Sequence, residues 1–241
     1  MSIWGHKSPW VLENVGGRNV APAPGVSRYK MGVQRPSPTA LVARARTLVE
    51  TMTDRARWIY ALPPAEATRH VASTLEAHGF TRREADASAR AAKWTHDSEN
   101  AAFVLLERPD LDVVLVEAEG AAAADALGAL IAKTGFYAQS TLLSSAFDVP
   151  SEDARKALLT LAHMVVAWDD DWADLFVLHL AAPDPIVRAD AVTALTIAAL
   201  VARDKGPCLE LLDEAARRET FPKLKETMEQ ARGVVDAIAM Q

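Results

Sequence analysis

Cysteine is almost missing from this chain: Cys208 is the only one in 241 residues. A single thiol excludes an internal disulfide framework and a cysteine-rich zinc site, and it points to a reducing compartment, so a cytoplasmic protein is expected. Aromatics are scarce at 6% while half the residues are hydrophobic, many of them alanine. That mix suits closely packed helices better than a β-sandwich. No run of about 18 apolar residues is present, so no membrane span is expected, and the first residues lack the apolar stretch of a secretory leader. Phosphate loops of the Gly-x-x-x-x-Gly-Lys type, Gly-x-Ser-x-Gly elbows and His-Glu-x-x-His pairs are all missing. Of the six histidines only His70 and His78 fall close together on one helix, eight apart, too far for a shared metal. The expectation is therefore a protein with no catalytic residues, no cofactor and no metal.

What the chain does have is unevenly distributed. Residues 1–46 carry seven Lys and Arg against one acid, Glu13, whereas the rest holds 19 basic and 31 acidic residues. A basic arm on an acidic body is the pattern of a segment that docks on a partner, on a second copy or on its own body. Residues 1–37, with Gly16-Gly17, Ala-Pro-Ala-Pro-Gly at 21–25 and Pro36, predict an extended or disordered arm. Trp4 and Trp10 are unusual there, because solvated disordered segments are poor in aromatics. With Arg28, Lys30 and Arg35 they form one candidate partner-binding set.

From Thr39 to Leu62, apolar residues at three- and four-residue intervals predict a helix ending at Pro63-Pro64. Pro64 opens the next helix, with Ala67, Val71 and Leu75 on one face and Gly79 as its stop. Thr81–Lys93 reads as an alanine-rich helix with Thr81 as N-cap. Residues 102–118 read locally as a β-hairpin around Pro109-Asp110. A near-repeat argues the other way. Trp94 to Pro109-Asp110 and Trp168 to Pro183-Asp184 span the same distance, and both are followed by similar Ala- and Leu-rich stretches ending in Gly135 and Gly206. Repeated units that stack present similar faces, and the second copy is helical, so both are expected to be helix–turn–helix. An α+β domain at 95–147 followed by helices is the alternative.

The stretch Leu180-Ala-Ala-Pro-Asp184-Pro185-Ile-Val187-Arg188, continuing to Leu195, resembles a HEAT repeat. Asp184 can cap the second helix and Pro185 fits its first turn. Val187, Ala191, Ala194, Leu195 and Ala198 make a stripe of mostly small residues. The resemblance implies that Arg188 reaches a turn aspartate in a ladder across repeats. Arg155 lies 33 residues before Arg188 and Lys225 lies 37 after it, each followed by apolar residues at the same offsets. The expected fold is all-α: an extended arm over 1–37, then a short α-solenoid of about five helical hairpins over 38–241. Asp184, Pro185, Val187 and Arg188 are its structural repeat positions.

The acidic run Asp169-Asp170-Asp171 with Trp172 reads as a helix start, where acids favour the positive end of the dipole, or as a patch for a basic partner. Trp168, Asp171 and Trp172 also invite comparison with HEAT-like alkylpurine DNA glycosylases. Nucleic acid, however, requires a basic face, and this body is acidic. Cys208, near a helix start, is expected to be a packed thiol. The leading expectation is a non-catalytic scaffold or adaptor, of the kind found in bacteria, that binds a protein or self-associates through its Trp-containing arm. A nucleic-acid-binding protein or glycosylase is the alternative.

Overall fold

The computed structural model describes residues 57–86, 90–96 and 100–238, within one compact unit. The predicted arm over 1–37 lies outside them. Five strands open the described chain: β1 (Arg57–Leu62), β2 (Phe80–Asp86), β3 (Ala91–His96), β4 (Ala102–Arg108) and β5 (Val113–Glu119), with α1 (Pro64–Ala77) between the first two. They form one antiparallel sheet in the order β1-β5-β4-β3-β2. The chain starts at one edge, crosses the sheet as α1, enters at the other edge and meanders back. Helix α2 (Ala121–Lys133) then lies beside α1 on the same face.

Alternation explains which residues build this core. Trp94 stands opposite Phe103, and Phe103 opposite Ala118, so all three share the face that α1 and α2 cover with Val71, Leu75 and Leu127. Two glycines make the turns possible. Gly79 ends α1 at φ +80°, and Gly120 leaves β5 at φ +93°, both left-handed conformations that side chains resist. The opposite face is covered at one corner, where Ala61, Val113, Leu115 and the turn residue Leu111 meet Tyr137, Leu159 and Met164. Between α2 and the next helix, the amide of Tyr137 donates to the carbonyl of Ala61 at 2.8 Å, on the outer edge of β1.

Six further helices follow: α3 (Gln139–Ala146), α4 (Glu152–Ala162), α5 (Asp170–Leu180), α6 (Pro185–Ala202), α7 (Gly206–Arg218) and α8 (Pro222–Asp236). They pair as three hairpins, with α4, α6 and α8 in one layer and α3, α5 and α7 in the other. The apolar residues at matched offsets now have a place: Leu158, Leu161 and Val165, then Ala191, Ala194 and Ala198, then Met228 and Val235 are all buried along the first layer, with Ala231 half-buried. Alanines on α6 let four neighbouring helices approach it. A larger side chain there would overpack the core at a cost of about 1–3 kcal/mol. Among the described residues α6 alone is long and apolar enough to cross a membrane by length and composition. Its place at the centre of this core accounts for that composition.

The expected all-α solenoid is therefore corrected. The fold is α+β, with a five-stranded sheet at 57–119 and three helical hairpins where about five were expected over 38–241. The α+β alternative comes nearer, yet its sheet was placed too late, at 95–147. Residues 57–62 are strand rather than the end of a helix, and of the helix expected over Thr81–Lys93, residues 81–86 belong to β2 and 91–93 to β3. The two similar windows are not structural repeats: the first is strand–turn–strand and the second helix–turn–helix. Pro-Asp marks a turn without specifying its flanks. In the first copy the β-branched residues of β4 and β5 select the sheet.

Candidate protein-binding surface

The three hairpins are locked by polar contacts at their turns. Asp184 caps α6 by accepting from the amide of Ile186 at 2.8 Å, Pro185 occupies the first helical position, and Val187 is buried. Arg188 closes the α5–α6 turn: its Nη1 donates to the carbonyls of Ala182 (2.7 Å) and Pro183 (2.9 Å). The rest of its fork grips Glu219 of the next turn, Nε to Oε2 at 2.8 Å and Nη2 to Oε1 at 3.1 Å. The Glu219 side chain is only 3% exposed and also accepts from the amides of Thr220 and Phe221. Burial opposes its charge, but Arg188 and those amides together hold its carboxyl below the usual range. The ladder thus runs to a glutamate of the following turn, where a turn aspartate was expected. A second rung joins α4 to α6, Arg155 to Asp190 at 2.5 Å.

On the other layer, the buried His179 donates from Nε2 to the carbonyl of Ala146 at 2.7 Å, tying α5 to the end of α3. Its Nδ1 has no protein partner. Burial, the largest cause, lowers its pKa.

Between the C-terminal halves of α5 and α7 lies a groove of roughly 360 Å³, lined by Val177, Leu180 and Leu211 on the apolar side and by Arg188, Glu214, Arg218 and Glu219 on the charged side. At or next to the hairpin turns, apolar residues are exposed: Phe147 at 53%, Ile186 at 37% and Phe221 at 44%.

The sequence candidates fare unevenly. Trp4, Trp10, Arg28, Lys30 and Arg35 lie outside the described residues. Trp172 is no surface anchor: its side chain is 4% exposed and belongs to the helical core. Its predecessor Trp168 stacks on Phe176 with ring centroids 5.8 Å apart. Asp169 is exposed and its carbonyl accepts from the Trp172 amide at 2.9 Å, while Asp170 begins α5. Asp171 follows in its first turn. The acidic run thus sits at a helix start, and the indole after it points inward because the apolar stripe of α5 begins there. Cys208 is buried, and burial pushes its thiol up to about 12. Among the described residues no group of three or more His, Cys, Asp or Glu is placed to hold a metal ion.

Reading the sequence missed Glu219, Phe147, Phe221 and the contact between Arg108 and His163. Phe221 precedes Pro222, and that was its only signal.

No protein-family model matches the chain, and no curated protein or solved structure is similar to it.

Proposed function

We propose that this chain is a non-catalytic protein-binding adaptor that works in the cytoplasm. In this reading its helical hairpins are of the HEAT-like kind, and its basic arm, with Trp4 and Trp10 as anchors, adds a second contact. One observation carries the reading: on a body rich in acids, the α5–α7 groove sets apolar side chains beside the fixed Arg188–Glu219 pair. A preformed apolar groove binds a segment without having to be ordered first, which is what protein recognition favours.

The test is cross-linking capture from the native host with the full chain and with a Val177→Asp, Leu211→Asp variant. Both positions line the groove, so the variant should lose a partner that the unaltered protein retains. Equal recovery by both overturns the reading. In parallel, the protein is titrated with single- and double-stranded oligonucleotides at low salt. Tight binding that weakens steeply as salt rises would replace this reading with the nucleic-acid one.

A further inference from the structure

The apolar turn residues lie along one edge of the helical stack, and the charges that predominate at its two ends differ in sign, with Asp184 exposed at the middle turn. Contacts between hairpins fix the alignment. The end of α3 meets the end of α5 through Ala146 and His179, and the ends of α5 and α7 share the groove. The starts of α4 and α6 are joined by Arg155 and Asp190, and the start of α6 reaches the α7–α8 turn through Arg188 and Glu219. The three turns therefore follow one another on the same side, in the order Phe147, Ile186, Phe221. Packed helices lie about 8–10 Å apart, so these side chains form a ridge of roughly 20 Å. Next to Phe147 stand the exposed acids Asp148, Glu152 and Asp153, with Lys156 paired to Glu152 at 2.9 Å and also felt by Asp153. Next to Phe221 stand Arg217, Arg218 and Lys223, all exposed, with Glu214 shared between the two arginines.

We propose that this turn edge is a self-complementary interface on which two copies of the chain pair about a two-fold axis. Rotating a second copy by half a turn sets its acidic end against the basic end of the first, and its basic end against the first's acidic end. Phe147 of each copy then meets Phe221 of the other, and Ile186 lies at the axis. The parallel arrangement would place like charges together, which costs free energy and excludes that register. An isologous contact of this kind uses one patch twice and closes on itself. A second copy fits the edge better than an unrelated partner does, because the edge supplies its own complement in apolar residues and in charge. The proposal does not require the α5–α7 groove to bind anything, although Arg218 belongs to both surfaces.

Sedimentation equilibrium of the full chain tests it. The unaltered protein should sediment at twice its 26.0 kDa chain mass, and added salt should weaken the pair. The Phe147→Asp, Phe221→Asp variant should be monomeric while keeping its native circular dichroism. An acid-end variant, Asp148→Lys with Asp153→Lys, and a base-end variant, Arg217→Glu with Arg218→Glu, should each dimerise at least about tenfold more weakly. Mixed together, the last two should form a heterodimer, since both of their contacts become attractive again. A monomeric unaltered protein overturns the proposal. So does a dimer indifferent to these changes, as an arm-mediated dimer would be, or folded charge variants that fail to pair when mixed.

Discussion

Arg108, the last residue of β4, donates from Nη1 to Nε2 of His163, the residue that caps the end of α4. The same guanidinium holds Asp110 through Nε at 3.0 Å and Nη2 at 2.7 Å. The β4–β5 turn is thereby tied to the helical hairpins by a chain of three side chains in which the imidazole must be neutral to accept.

A pH dependence follows from that chain. Burial, and then the neighbouring Arg108 charge, push His163 down to about 4, against an ordinary value near 6.5 in the unfolded chain. The unfolded state therefore takes up the proton first. The His163 contribution is complete above about pH 6.5, falls as pH drops and is lost below about pH 4, a change of about 3 kcal/mol. Asp110 is held ionised through most of this window, chiefly by its hydrogen bond from Arg108. His163→Gln keeps an acceptor for Arg108 but does not titrate. Denaturant midpoints at pH 7.5 and 4.5 should differ more for the unaltered protein than for this variant.

Removing Arg188 should be among the most damaging single changes outside the apolar core. Arg188→Met leaves the buried Glu219 carboxylate without its counter-charge and two turn carbonyls without a donor, at about 3–5 kcal/mol. Arg188→Lys cannot reproduce the two-point grip and should recover only part of that loss. Urea unfolding of both variants, with Glu219→Gln alongside, measures the difference. Equal stability of Arg188→Met and the unaltered protein would remove the lock from the account.

The two left-handed glycines should rank by what an added methyl would strike. In Gly120→Ala the new Cβ would lie 2.3 Å from the backbone carbonyl oxygen of Asn100, which has little room to move. In Gly79→Ala it would lie 2.8 Å from Nε2 of His96, a ring that can swing aside. Both lose about 1 kcal/mol from the backbone conformation alone. Gly120→Ala should be clearly the less stable of the two by thermal unfolding.

Cys208 should be silent in the native protein. A buried thiol pushed up to about 12 offers almost no thiolate near neutrality. A thiol reagent at pH 8 should react at the rate of opening of α7 and the helices packed on it, and at full speed in denaturant. Rapid native labelling would show that the α7 core opens readily.

How much could be read in advance differs by element. Pro64 as a helix start, Gly79 as its stop and the Asp184-Pro185 start of α6 were legible because each acts on its own few residues, whereas Pro63-Pro64 closes a strand and not the expected helix. The strands were harder. Residues 81–86 and 91–93 carry many alanines and charges, and pairing within the sheet, with Phe80 and Trp94 turned to one face, makes them strands. The hairpin at 102–118 was legible locally, and an apparent repeat wrongly outweighed it. At the surface, Arg188 could be singled out from its neighbours in sequence. Glu219, 31 residues on, could not, since only the stacking of hairpins brings it near. Trp172 was misjudged because the acids before it suggested exposure, whereas helical phase turns its ring inward.

The hydrogen bond from Tyr137 to Ala61 has a bearing on aggregation. A sheet can grow into a fibre only when both of its borders offer an uninterrupted row of backbone groups to an incoming strand. At the β1 border that row is already occupied at Ala61, so a newcomer would first have to displace the segment linking the sheet to the helices. Strand-by-strand growth is thus impeded on one side.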